Sequence, residues 1–350
     1  MVFIIFRAII FGIGLLCHLV DMGSRLFGSY ARNPVNQTVR ISIAVFTAML
    51  YLLPFLIITV MPEIKWHLCL NILIFLLGFS AIVFFLFPFH FGIQSGRPSS
   101  AGNSPIDHTL TSAIILHEES LQIDFPVSFN NLQLLVLSDL HCNSQRQLEV
   151  IQEAINKLKA DNFDLVLILG DLTENKQYIR LLFELFQELN AHYGKFLVRS
   201  NHDYEGGRFH LIEKVATESG VTLLNNTSFY IEKLDLTLIG TERPWCKTGV
   251  VTEISEFSIG LSHTPDNIKY LSRQKTSIVL AGHTHGGKIK IPLIGSILVP
   301  SIYGRFLDYG WFRYGKTLMF ITQGFGYFPG IFNKKGEILK LNITSKPESA

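Results

Sequence analysis

Five short stretches of this sequence carry side chains that bind metals or move protons. They are Asp139-x-His141, Gly170-Asp171, Asn201-His202-Asp203, His263, and Gly282-His283-x-His285 with two glycines following. Singly, most have ordinary explanations. Asp-x-His reads as a turn aspartate beside a surface histidine, Gly-Asp as a helix cap, and Asn-His-Asp as a loop. The His283-x-His285 pair is more specific, because two imidazoles two positions apart on a glycine-flanked turn suit a metal better than a plain polar turn. Together the five supply carboxylates, an amide oxygen and imidazoles. Two divalent ions about 3.5–4 Å apart need such a mixed set and a bridging carboxylate. Asp171 is the natural bridge.

Each stretch follows a short apolar run. Leu132–Leu137 ends at Ser138-Asp139, Leu165–Leu169 at Gly170-Asp171, and Phe196–Val198 just before Asn201. These runs read as buried strands. Between them, residues 145–160 place Leu148, Ile151, Ile155 and Leu158 on one helical face, and residues 176–190 do the same with Ile179, Leu182, Phe183 and Phe186. Alternating strands and helices predict an α/β domain, with ligand groups gathered beyond the carboxyl ends of the strands. The second half is richer in strands, expected at 229–231, 236–239, 257–261, 277–280, 289–291, 318–321 and 338–343. No internal repeat or low-complexity segment is present.

The chain has 350 residues and an uneven composition. Residues 1–92 are mostly apolar and aromatic, 93–106 read as a Gly/Ser/Pro/Asn linker, and 107–345 as a globular domain large enough to bury a substantial core. Residues 41–61 and 68–92 are uncharged and long enough to cross a bilayer as helices. Residues 2–20, interrupted by Arg7 and lacking a small-residue cleavage site, suit an uncleaved span or an interfacial helix. Arg25, Arg32 and Arg40 in the loop 21–40, against Lys65 alone in 62–67, orient the first loop and the domain after Arg97 toward the cytoplasm. The expected location is therefore the inner membrane, multi-pass. A formal net charge of +2 argues against nucleic acid as a partner. Four cysteines without a C-x-x-C pair make no disulfide framework.

In this order the five motifs resemble the calcineurin-like metallophosphoesterase family, whose pattern is D-x-H, G-D, G-N-H-D/E, H and G-H-x-H. The resemblance covers roughly residues 130–290. It implies a β-sandwich of two mixed sheets flanked by helices, after the N-terminal helical region. It implies that Asp139, His141 and His285 bind one metal, that Asn201, His263 and His283 bind the other, and that Asp171 bridges. His202 would be the catalytic histidine, contacting the phosphoryl group and protonating the leaving oxygen, with Asp203 orienting it. One departure is visible: Ser200 stands where the family usually has glycine. Mn²⁺ is the expected metal, with Fe or Zn²⁺ also suited to these ligands.

The motifs give the reaction class and leave the substrate open. The stretch 302–315 is dense in aromatics, with Arg305 and Arg313 interleaved, and Phe325, Tyr327, Phe328, Ile331 and Phe332 follow. Such a mixture suits a membrane interface holding an anionic lipid; a core strand pair is the alternative. Gly282–Pro300 resembles the membrane-associated YkuE-like branch of the family, and through it the LpxG-type UDP-2,3-diacylglucosamine pyrophosphohydrolases of lipid A synthesis. That resemblance implies a nucleotide-lipid substrate, cleaved to 2,3-diacylglucosamine 1-phosphate and UMP. A general membrane-associated phosphodiesterase and a catalytically idle metal-bound scaffold are the alternatives.

Overall fold

The computed structural model describes residues 9, 11–19, 73–79, 92–102, 105–124, 127–246, 255–287, 289–291, 295–325 and 335–345. The chain divides into two compact units, Met1–Phe91 with Ile289–Phe306, and Gly92–Lys288 with Leu307–Ala350.

The larger unit contains two seven-stranded sheets. Across the first, the strands run Ile106–Thr109, Ile114–Ile123, Gly336–Ser345, Asn131–Leu137, Leu165–Ile168, Lys195–Leu197 and Val221–Leu223. Its last four strands are mutually parallel. Across the second they run Ile93–Ser95, Gly310–Tyr314, Thr317–Ile321, Ile278–Ala281, Phe257–Ser262, Leu236–Thr241 and Ser228–Ile231. There the central four are parallel and the outer ones antiparallel.

Uninterrupted apolar runs are explained by burial on both faces. Successive side chains of a strand point to opposite faces, so the first sheet divides its residues between two cores. Leu135, Leu137, Val166, Ile168 and Leu197 pack against the helices Gln145–Leu158, Gln177–Gln187 and Phe209–Glu218. Leu134, Val136, Leu165, Leu167 and Phe196 pack against Leu238, Ile259, Leu261, Leu280 and Phe320 of the second sheet. Each fully buried leucine of this kind contributes roughly 1.5–3 kcal/mol, which fixes the strand ends with little play. The first helix begins where Ser144 accepts a hydrogen bond from the Gln147 N–H.

Several elements differ from the sequence expectations. Ile93–Ser95, inside the expected linker, is an edge strand paired with Phe312–Tyr314. The strand Ile114–Ile123 was not anticipated, because polar residues interrupt its apolar alternation, nor was the short helix Phe209–Glu218, whose buried face is only Ile212, Val215 and Ala216. In the aromatic stretch, Trp311 and Phe312 lie on a buried antiparallel pair, so the core reading holds for them.

In the smaller unit, residues 11–19 and 73–79 are helical. Phe11 and Ile74 bury against each other, with Leu15 and Leu77 beside them. A Cβ on Gly14 would lie 2.4 Å from the Gly78 carbonyl oxygen, so small residues let these backbones meet. Ile289–Ile291 and Gly295–Leu298 form a bulged hairpin. The expected span 41–61 lies outside the described residues, as do most of 68–92, part of 2–20, and Tyr327, Phe328, Ile331 and Phe332. Among the described residues no helix is long and apolar enough to cross a membrane, so a multi-pass topology has no structural support.

Candidate metal centre

All five motifs sit at the carboxyl ends of parallel strands. Asp139 and His141 follow Asn131–Leu137, Asp171 follows Leu165–Ile168, and Asn201 and His202 follow Lys195–Leu197 in the first sheet. His263 follows Phe257–Ser262, and His283 and His285 follow Ile278–Ala281 in the second. Facing sheets therefore bring together residues up to 146 positions apart (139 to 285).

The turns that carry them are strained. Asp139, His141, Asp171, His283 and His285 have φ of 54°, 42°, 52°, 71° and 52°, the left-handed region that side chains with a Cβ rarely occupy. Asp139 is further hemmed in by close backbone. A Cβ on Gly282 would fall 2.3 Å from Asp139 Oδ2, and one on Gly324 2.7 Å from Asp139 Cβ. Only glycine fits either position.

Three clusters of metal-ligand type result among the described residues, of which His141, Glu174 and His202 form one and the expected ligands the other two. Asp139, His141 and His285 place one donor atom each within 4.8 Å of one another, and so do Asp171, His263 and His283. Asp171 joins them: its Oδ2 lies 3.3 Å from His141 Nε2 and 3.3 Å from His263 Nε2. His263 Nδ1 meets the Leu169 carbonyl at 2.7 Å, and His141 Nδ1 meets Glu174 Oε1 at 2.7 Å. Each contact fixes the proton on Nδ1 and leaves the Nε2 lone pair for a metal. Asn201 Oδ1 is buried without a hydrogen-bond partner. A buried amide oxygen without a donor is costly, and a cation would relieve it, so the residues fit a divalent metal pair.

The charges agree with this. Burial opposes ionisation of Asp171, but His263, His141 and His202 outweigh it and hold its carboxyl well below the usual range. Burial alone would lower the His141 and His263 pKa values, but neighbouring carboxylates raise both to about 9.

Residues 132–287 match the family described as calcineurin-like phosphoesterase. Over that stretch, under half of its length, the chain is similar to the calcineurin-like metallophosphoesterases. It is 27% identical over 256 residues to the uncharacterized metallophosphoesterase YkuE of Bacillus subtilis, a match covering 68% of this chain and 85% of that one. It is 28% identical over 221 residues to the phosphodiesterase YaeI of Escherichia coli, covering 60% and 82%. A transmembrane protein with a metallophosphoesterase domain from Danio rerio is 25% identical over 228 residues, covering 58% of this chain and 50% of that protein. The match and these relatives make the chain a metal-dependent phosphoester hydrolase; the calcineurin-like phosphoesterases it resembles use a dinuclear divalent metal centre, for which the clusters above are the candidates.

Within this metallophosphoesterase site, Asp203 departs from its expected role. It is fully buried, and its hydrogen bonds go elsewhere than to His202. Its Oδ2 accepts from the N–H groups of Asp171 (3.0 Å) and Ser200 (2.9 Å), and its Oδ1 from the Leu172 N–H (3.1 Å). Asp203 holds the turns that carry the ligands, because its side chain points down into the sheet end while the His202 ring stays partly exposed. Burial and the Asp171 charge push its carboxyl upward.

The carboxylate beside His202 is Glu174, with Oε1 3.3 Å from His202 Nδ1; Glu205 stands at 3.6 Å. The same Oε1 binds His141, so Glu174 orients that imidazole and sets its charge beside the His202 ring. Burial opposes its ionisation, but the His141 hydrogen bond and charge lower its pKa to about 2. Arg208 ties the main chain together, donating to the carbonyls of His202 (2.9 and 2.6 Å) and Glu174 (3.0 Å). Glu174 was legible only as an acid three positions after Asp171, on the same loop.

Arg313 is not brought to the ligands. Arg313 pairs in register with Leu318, at the start of a strand whose far end, Ile321, is level with Ala281. It therefore lies at the opposite end of the sheet from His283, where it bonds Gln94 at 2.8 Å. Arg305 belongs to the smaller unit, in the turn Gly304–Phe306 next to Gly295.

Proposed function

We propose that the chain hydrolyses a phosphodiester or diphosphate bond in a lipid-borne substrate at the cytoplasmic face of the inner membrane, with two Mn²⁺ ions. The observation that carries the chemistry is the single oxygen, Asp171 Oδ2, standing 3.3 Å from a histidine of each cluster. When bound, a metal pair supplies a water ionised near neutral pH and neutralises charge on the phosphoryl oxygens. Asp139, His141 and His285 would hold one ion, and Asn201, His263 and His283 the other. His202, 29% exposed at its side chain, stands at the mouth of the site, where it can donate a proton to the departing oxygen. Cys142 is no nucleophile, since burial pushes its thiol up to about 12.

Two observations support the substrate class. The relative YaeI is named a phosphodiesterase. In the smaller unit, Ile9, Ile13, Leu16, Leu19, Leu73, Leu76 and Phe79 are 44–62% exposed, and helix faces this apolar suit lipid contact. Within the class we put forward UDP-2,3-diacylglucosamine, cleaved to UMP and 2,3-diacylglucosamine 1-phosphate, on the sequence resemblance stated above. The test is incubation of the full-length chain with Mn²⁺, UDP-2,3-diacylglucosamine and a generic aryl phosphodiester. UMP release supports the specific substrate. Cleavage of the generic diester without UMP release sinks it and leaves the broader class. Two bound metals with no hydrolysis of either would favour a scaffold.

A further inference from the structure

The departure at position 200 has a defined geometry. Ser200 has φ −115° and ψ −175°, a conformation open to any residue, and caps the short helix Asn201–Tyr204 in a reciprocal box with Asp203. Its hydroxyl does more than cap. Oγ accepts from the Asp171 N–H at 2.9 Å. It also meets two carboxylate oxygens, Asp171 Oδ1 in a short contact and Asp203 Oδ2 at 2.7 Å.

A hydroxyl has one proton to donate, so the two oxygens compete for it. Asp203 Oδ2 already accepts from two main-chain N–H groups, at 3.0 and 2.9 Å. Asp171 Oδ1 has only the long 3.4 Å contact from the His202 N–H. The proton belongs to Asp171 Oδ1. That bond fixes the rotation of the Asp171 carboxylate, with Oδ1 turned inward and Oδ2 left equidistant from His141 and His263. With glycine at this position, the 3.4 Å contact alone would restrain it.

We propose that Ser200 is a positioning residue, whose hydroxyl locks the Asp171 carboxylate so that a single oxygen bridges the two metals. The inference rests on the dinuclear reading above. It predicts that Ser200→Gly and Ser200→Ala weaken the second metal about 10- to 100-fold, the usual effect of losing a hydrogen bond to a ligand.

The experiment is Mn²⁺ titration of the full-length chain by calorimetry, with electron paramagnetic resonance at two equivalents. Wild type should bind two ions and give the exchange-coupled signal of a bridged pair. Both variants should bind the first ion normally and give the six-line signal of isolated Mn²⁺. The pair of variants separates positioning from capping, because glycine caps a helix nearly as well as serine and alanine does not. Wild-type affinity and coupling in Ser200→Gly overturns the inference, whatever Ser200→Ala does. A wild-type chain that binds fewer than two ions overturns the dinuclear reading, and the inference with it.

Discussion

Replacing Asp203 by alanine should unfold the site before it slows any chemistry. The Asp203 carboxylate satisfies the N–H groups of Leu172 and Ser200, and shares that of Asp171 with Ser200 Oγ. Removing it strands two buried donors outright, at about 1–3 kcal/mol each. The sum is about 2–6 kcal/mol, and since 1 kcal/mol moves the midpoint by about 2–4 °C in a domain of this size, melting should fall on the order of 10 °C. Asp203→Asn should behave similarly, because either amide rotamer turns an NH₂ toward an N–H. The assay is thermal denaturation in chelator, so that metal loss does not contribute. His202→Ala is the contrast: its half-buried ring supports little, so it should melt like wild type and lose about 10²–10⁴ in rate. If Asp203→Ala melts within about 2 °C of wild type and loses only turnover, the supporting role is refuted and the aspartate acts on the chemistry.

Glu174→Gln removes the charged partner of His141 and His202 and should weaken metal binding about 10- to 100-fold, read by competition with a chromophoric chelator. His141 and His263, both raised to about 9, are protonated at pH 7 in the metal-free protein. Metal binding should therefore release protons and tighten as pH rises, levelling above about 9; calorimetry in buffers of different ionisation enthalpy measures the release. His117 is buried against Asp107 (2.6 Å) and Glu119 (3.3 Å). Burial lowers its pKa, but the Glu119 bond with the Glu337 and Asp107 charges raises it to about 9. Since that exceeds the unfolded value, the stabilisation is complete below about pH 6.5 and fades as pH rises through 9. It amounts to about 3 kcal/mol, so in urea denaturation the gap between wild type and His117→Gln should close by pH 10.

The parts of this molecule legible in sequence are those with one dominant cause. Strands such as Leu165–Ile168 are buried on both faces, so apolarity alone marks them. The helix Gln145–Leu158 has one buried face and a serine cap. The ligand residues announced themselves because imidazole and carboxylate pairs at strand ends have few other uses. Roles set by side-chain direction were not legible. Asp203 adjoins His202 in sequence while Glu174 lies on a distant loop, and only the packing of the Asn201–Tyr204 turn decides that the neighbour points inward and the distant acid meets the ring. Ile114–Ile123 was hidden because His117 and Glu119 sit on its buried face, breaking the apolar pattern for a polar cluster that closes between the sheets. Arg313 misled for a related reason: its aromatic neighbours belong to the core, and its own position follows the strand register rather than the site.

The left-handed backbone at Asp139, His141, Asp171, His283 and His285 has a consequence for inheritance. A residue with a Cβ held there costs roughly 1–2 kcal/mol, and glycine lifts that cost while alanine keeps it. A lineage that no longer needs the reaction can thus drift to glycine at His141, His283 and His285 and gain folding stability as it loses activity, whereas glycine at Asp139 would strand the buried His283 N–H that its carboxylate accepts. Inert descendants should accumulate in cells at least as well as working ones, and glycine at the three histidines is the mark by which a retired copy can be told from a merely unstable one.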